Sequence, residues 1–201
     1  MTSPAPMGRR ERKKAATRQA IADAALRLFL ERGYDEVGIR EIADAADVST
    51  TTLFKHFRVK EALVFDEEAD QGERLLAAVR EREEGQSIPA ALREHALTLR
   101  MAGGGGAEGD ADFAAFAGLV AGTPALRDYA QNMWLRHTAE LARVIAEESG
   151  LAADDSACTA LAHFALGAPR VAVGQENPRE AVTRAFDLLE HGWSALARGE
   201  A

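Results

Sequence analysis

The chain has a single cysteine, Cys158, few aromatic residues, and no apolar run approaching the length of a bilayer span. One cysteine excludes an internal disulfide framework and suits a reducing compartment. The missing apolar run argues against a transmembrane helix, and no secretory-type hydrophobic region follows the Arg-rich start. A soluble, cytoplasmic protein without a membrane partner is therefore expected. Catalytic signatures are missing as well. The sequence holds no paired cysteines, no two histidines at zinc-binding helical spacing with a partner acid, and no nucleophile elbow. The four glycines at 103–106 lack the lysine and the preceding strand of a phosphate-binding loop. Neither an enzyme nor a resident cofactor or metal is expected.

What is present points to helices. At 201 residues, with 47% hydrophobic but only 6% aromatic residues and many alanines, the composition suits a packed all-α protein. The length accommodates a small domain fused to a larger one. The net charge of −8 hides an asymmetry, since residues 1–65 carry 12 Lys and Arg against 9 Asp and Glu while the remainder is strongly acidic. The basic density peaks in "RRERKKAATR", where Arg9, Arg10, Arg12, Lys13, Lys14 and Arg18 face only Glu11. Such a cluster is either a solvated surface or a nucleic-acid contact, and its neighbours decide.

Residues 1–9, with two prolines and no periodicity, read as a disordered tail. Helical spacing of Ile21, Ala25, Leu28 and Phe29 predicts a first helix over about 10–32, closed by Gly33. Ile39, Ile42, Ala43 and Ala46 predict a short second helix that stops at Asp47, a residue tolerant of the left-handed conformation. Ser49 then reads as the N-cap of a third helix, with Leu53 and Phe57 pointing inward. Thr50, Thr51, Thr52, Lys55 and His56 are left largely outward. Two short helices around a tight turn form a helix-turn-helix, whose second helix must start with residues short enough to approach base edges in the major groove. Threonine is short, bonds acceptors, and offers a methyl group to thymine. A threonine run that merely caps a surface turn is the plainer alternative.

Within about residues 15–63, the stretch "AIADAALRLFLERGYDEVGIREIADAADVSTTTLFKHFRVKEAL", 20–63, resembles the DNA-binding region of TetR-type bacterial regulators. The resemblance rests on an ordered set: Gly33-Tyr34, Glu41-Ile42-Ala43, Val48-Ser49, Thr52-Leu53, His56-Phe57, Lys60-Glu61 and Leu63. It implies base or phosphate contacts from Thr50, Thr51 and Thr52 beside the cap Ser49, and phosphate contacts from Lys55, His56 and Lys60, with Arg40 as a further candidate. The family usually has tyrosine where Phe54 stands, so Phe54 occupies a DNA-facing position without a hydroxyl for phosphate. Gly38 and Asp47 stand where a hydroxyl cap and a glycine are common. The domains implied are 10–60 for DNA and 61–201 for effector binding and dimerisation.

The second part reads as about six helices. One is predicted from about Glu61 past Leu75, Leu76 and Val79; another starts at Ser87-Ile88-Pro89 and ends near Met101. The glycines at 103–106 predict a flexible loop, either a pocket lid or a tolerated insertion. Phe113, Phe116 and Leu119 start the next helix, Thr123-Pro124 opens a long one closed by Gly150, and two more span about 154–174 and 179–198. By resemblance, the last two form a four-helix homodimer interface, with Leu161, Phe164, Ala168, Val171, Phe186, Leu189 and Trp193 as interface or core candidates. Candidate effector contacts are Met101, Phe113, Phe116, Met133, Trp134, His137, His163, Phe164 and Arg170; ordinary core is the commoner reading for the apolar residues and hydrogen-bonded core for the histidines, while Arg170 could instead bridge subunits. The implied function is a ligand-responsive repressor that binds a palindromic double-stranded DNA operator as a homodimer. Its effector would be a small lipophilic molecule, with acyl-CoA one class in view. The competing reading is a non-specific, architectural DNA-binding module, which the acidic body disfavours.

Overall fold

The computed structural model describes residues 8–66, 68–102, 107–172 and 175–198, with side chains described throughout these except at 68–69, 99–102, 107–113 and 193–198. The expected tail at 1–7 and the glycine loop at 103–106 lie outside the described residues. In chain order the helices are α1 (Arg9–Arg32), α2 (Ile39–Ala45), α3 (Thr50–His56), α4 (Glu68–Arg80), α5 (Ile88–Ala102), α6 (Ala107–Gly122), α7 (Pro124–Ser149), α8 (Ser156–Val171) and α9 (Pro178–Arg198). A single 3-10 turn, Glu61–Leu63, precedes α4, and no strand occurs among the described residues. The all-α expectation holds.

Two compact units result, Met1–Glu68 with Asp112–Ala130, and Ala69–Ala111 with Gln131–Ala201. The first is built on α1, whose Ile21, Ala22, Ala25 and Phe29 are buried against Ile42 and Ala43 of α2 and Leu53 of α3, together with Phe57, Leu63 and Val64. Ala43 is 1% exposed; its methyl allows close approach of neighbouring backbone, and its carbonyl accepts the Val48 amide at 2.9 Å to close the turn. Asp47 takes φ 52, the one left-handed non-glycine among the described residues. Its position matches the tight turn read from the sequence.

The expected helix from Glu61 is interrupted. Leu63 and Val64 are buried in the first unit's core, and α4 starts only at Glu68. Anchoring those apolar groups holds the backbone in a turn, where an unbroken helix would carry them elsewhere. The first unit also recruits Leu126, fully buried, with Phe116, Leu119 and Val120 packed around it. The expected boundary at residue 60 therefore falls inside this unit. Residues 107–110, ahead of the helix start expected at Phe113, belong to α6.

In the second unit Val79, Leu92, Ala96, Leu141, Val144, Ile145, Ala162, Ala165, Val182 and Phe186 form one core. Thr123 and Pro124 open α7 as expected, and Gly150 follows it at φ 66. Asp155 caps α8 by accepting from the amides of Ala157 and Cys158, so the helix starts two residues later than its apolar pattern suggested. Asn177 caps α9 through the Glu180 amide at 3.2 Å, the reciprocal side-chain bond to Glu180 being 3.1 Å. The single helix expected over 179–198 is broken at Gly192, whose φ 78 and ψ 162 no helix accommodates. Arg93 of α5 meets Asp187 and Glu190 of α9 at 3.3 and 3.7 Å, and Arg82 meets Glu148 at 2.7 Å.

Gly72 has a steric reason to be glycine. A Cβ there would lie 2.7 Å from Cε1 and 3.1 Å from Nδ1 of His137. Alanine in a helix interior is ordinarily better than glycine by about 0.8–1 kcal/mol. Gly72→Ala is nevertheless expected to lower stability by about 1–2 kcal/mol, because the ring must move. In a His137→Ala background the same change should be neutral or stabilising, a double-mutant cycle readable in urea melts.

Candidate nucleic-acid interface

The presentation of α3 begins with its cap. Ser49 Oγ accepts the Thr52 amide at 3.1 Å and shares a hydrogen bond with Thr52 Oγ1 at 2.9 Å. Leu53 and Phe57, four residues apart, are each 1% exposed and hold the helix to the core. That phase turns Thr50, Thr51, Phe54 and Lys55 to solvent, while Thr52 and His56 are half-buried. Arg40, on α2, is exposed. Five small or basic groups expected at DNA thus divide into two groups: Thr50, Thr51 and Lys55 stand outward, and Thr52 is engaged in its own helix cap beside Ser49.

Lys60, an expected phosphate-binding cation, and Arg18 of the basic cluster both make contacts within the protein. Lys60 donates from Nζ to the Tyr34 carbonyl at 2.6 Å and sits over the rings of Tyr34 and Phe29, 4.1 and 5.4 Å from their centroids. Burial pulls its pKa down, against the opposing charges of Asp35 and Glu61. Tyr34, 6% exposed, has its hydroxyl pKa raised by burial and by a hydrogen bond with Glu61. Lys60 is thus engaged as a clasp on the loop after α1, in place of the outward direction expected of it. Arg18, read as part of the basic cluster, is likewise a clamp: it donates to the His56 and Asp66 carbonyls at 2.9 and 3.3 Å, pairs with the Asp66 carboxylate at 2.6 Å, and lies 4.3 Å over Phe57.

His56 departs from expectation for a related reason. Its Nδ1 is buried with no hydrogen-bond partner inside the protein. Burial lowers its pKa first, then the nearby charges of Arg18 and Lys14, with Asp66 opposing. The lowered pKa reduces the positive charge that this half-buried imidazole carries. Gly38 lacks a capping side chain, and Glu41 substitutes: one carboxylate oxygen accepts the Gly38 amide at 2.9 Å and the other pairs with Arg32 at 2.8 Å. The Gly38 amide and then Arg32 hold the Glu41 carboxyl below its usual range. The exposed cations of the N-terminal unit include Arg9, Arg10, Lys13, Lys14, Arg40, Lys55 and Arg58. Exposed cations of this kind are what a sequence-independent attraction to a phosphate backbone requires.

Residues 21–66 match the profile of "Bacterial regulatory proteins, tetR family", and residues 106–201 that of "MftR C-terminal domain". The HTH-type transcriptional regulator TcmR of Streptomyces glaucescens is 34% identical over 162 residues, covering 77% of this chain and 70% of that protein. The chain belongs to the TetR family of bacterial transcriptional regulators. A second relative, the HTH-type transcriptional repressor Rv1474c of Mycobacterium tuberculosis, is 44% identical over 69 residues, which is 34% of this chain and 36% of that one. Among solved structures, the SmeT–triclosan complex shares the fold with a TM-score of 0.55 and 19% identity, over 86% of this chain and 89% of that one. The protein is thus a DNA-binding regulator of TetR type and not an enzyme.

Of the residues expected to line an effector pocket, Trp134 and Arg170 come together in this TetR-family chain. Phe116 packs edge-on to Phe65, 5.9 Å between centroids, in the N-terminal unit's core. His163 and Phe164 are exposed on α8, because Ala162, Ala165 and Ala168 claim the inward phase of that helix. Trp134, half-buried beside Met133, carries the Arg170 guanidinium over its ring at 4.2 Å. His137 lies against Gly72. The side chains of Met101, Phe113 and Trp193 lie outside the described residues.

A pocket of about 160 Å³ does occur in the C-terminal unit, lined by Gln71 and Leu75 of α4, Leu92, His95 and Ala96 of α5, and Ala165, Leu166 and Pro169 of α8. Its wall is almost wholly apolar, with His95 as the titratable group. Burial, and secondarily the charge of Arg74, lowers the His95 pKa and favours the neutral ring. Sequence reasoning missed this histidine. The available signal was its place at i+3 from Leu92 on an apolar helical face.

Thr51→Ala should cost about 1–3 kcal/mol of discrimination at one base position, whereas Lys55→Ala should weaken all duplexes equally and reduce the salt slope of binding by about 1. Fluorescence anisotropy across a salt series separates the two. Lys60→Ala should behave differently from both, destabilising the folded protein by about 1–2 kcal/mol through loss of the carbonyl bond and ring contacts. An unchanged melting temperature with uniformly weaker DNA binding would return Lys60 to the phosphate-contacting set.

Proposed function

We propose that this chain is a homodimeric repressor that binds a palindromic operator and is released from it by a small, largely apolar effector. The observation that carries the reading is the outward row of Thr50, Thr51 and Lys55 on a capped helix, in a chain whose C-terminal unit holds an apolar pocket. The pocket offers hydrogen bonding at His95 and Gln71 and has no Lys or Arg in its described lining. That chemistry favours a compact, neutral molecule over acyl-CoA, whose phosphates call for cations. The triclosan complex of SmeT is a precedent for a small apolar ligand within this fold.

Dimerisation is supported by the face of α8 turned away from its core. Phe164 and Val171, seven residues apart and so on one side of the helix, are 58% and 54% exposed. A second copy covering them would give a dimer with two α3 helices, and a two-fold reader of DNA needs these about 34–36 Å apart, the spacing of successive major grooves. The effector acts by preferring a dimer state in which that spacing is lost, and it shifts the equilibrium only as far as its affinities for the two states differ. Acting on the chromosome places the protein in the cytoplasm.

The test begins with selection of bound fragments from genomic DNA by the full-length protein. A recurrent inverted repeat is expected, and analytical ultracentrifugation should show a dimer that Phe164→Asp dissociates. The variant should then lose most operator affinity while retaining the helical circular-dichroism signal. Fragments without a shared motif would instead support the non-specific module.

A further inference from the structure

Phe54 is the largest side chain on the outward row of α3, and it is 50% exposed. On a helix its side chain shares a face with those three and four positions earlier, Thr51 and Thr50. Among the described residues its ring pairs with no other aromatic ring and carries no cation. The folding of the N-terminal unit gains little from it, since Leu53 and Phe57 already anchor α3.

The chemistry of the ring narrows what can cover it. A phenyl edge ends in C–H and forms no ordinary hydrogen bond with phosphate oxygens or with the donors and acceptors of base edges. Within the major groove the group that rewards apolar contact and also reports sequence is the C5-methyl of thymine. Sugar C–H groups offer apolar contact but are the same at every nucleotide. The neighbours on the row are short, so Phe54 projects beyond Thr50 and Thr51 wherever the helix lies against the groove.

Resting on the DNA-binding reading of α3, we propose that Phe54 is a specificity-determining residue that recognises a thymine by packing its ring on the C5-methyl. The threonines supply hydrogen bonding at neighbouring base edges, and Lys55 supplies attraction to the backbone. The selectivity at one position is then hydrophobic in origin. It should persist at salt concentrations that abolish much of the phosphate contribution.

The test uses the full-length protein and a duplex obtained by selection from random sequence. Each thymine is replaced singly by deoxyuridine, which removes the methyl and leaves every pairing and hydrogen-bonding group in place. Wild-type protein should lose roughly fourfold in affinity at one thymine per half-site, the worth of one buried methyl group. Phe54→Ala should bind more weakly and be indifferent to deoxyuridine at that thymine. It should remain sensitive at any thymine read by a threonine methyl. Phe54→Leu, still apolar, should keep part of the discrimination, and melting curves should show both variants folded. Uniform weakening by Phe54→Ala, with every deoxyuridine effect unchanged, would overturn the proposal and place the ring on the sugar backbone. Failure to select any sequence would overturn the reading beneath it, and this proposal with it.

Discussion

The guanidinium of Arg18 is the interaction on which the DNA-facing surface depends. It joins α1 to the end of α3 through the His56 carbonyl, to the following segment through Asp66, and to Phe57 through its planar face. A helix end leaves carbonyls without intrahelical partners, and a short helix such as α3 has few bonds of its own. One planar, permanently charged group with donors on several edges can satisfy all three neighbours at once, which an ammonium group cannot. With its C-terminus tied down by Arg18 and its N-terminus capped by Ser49, α3 holds its outward row in a defined direction.

That arrangement also reallocates charge. Arg18 and Lys60 count toward the basic balance of the N-terminal region, yet both are engaged with carbonyls and aromatic rings of their own unit. Burial lowers the pKa of both Lys60 and His56, which are half-buried. The remaining exposed cations lie at the start of α1, on α2, and on or just after α3. Fewer cations are therefore free of intramolecular engagement in the N-terminal unit than composition suggests. The outward row that α3 leaves to solvent beside them is Thr50, Thr51 and Phe54.

In the C-terminal unit the deciding constraint is helical phase. Alanines at 162, 165 and 168 let α8 pack closely, and their burial turns Phe164 and Val171 outward. The same close packing leaves space beside Ala165, Leu166 and Pro169 that α4 and α5 do not fill. Small residues thus shape both an uncovered apolar face and a pocket on one helix. Arg93 and Ser87 fasten α5 to α9 through Asp187 and Glu190, holding the elements around that space.

The local code carried a great deal. The spacing of apolar residues, the Ser49 and Asn177 caps, Pro124 after Thr123, and the turn at Asp47 all determined helix identities and ends, because each acts over one or two helical turns. The order of motifs from Gly33-Tyr34 to Leu63 was enough to indicate the DNA-binding region. Tertiary structure alone decided that Lys60 and Arg18 face inward, that the chain breaks after Leu63, that residues 112–130 join the N-terminal unit, and that His95 lines a pocket while His163 does not. A side chain's periodicity shows which face of its helix it occupies. Which partner receives that face depends on residues far along the chain, such as Asp66 for Arg18 and Leu166 for His95, and that pairing is a property of packing.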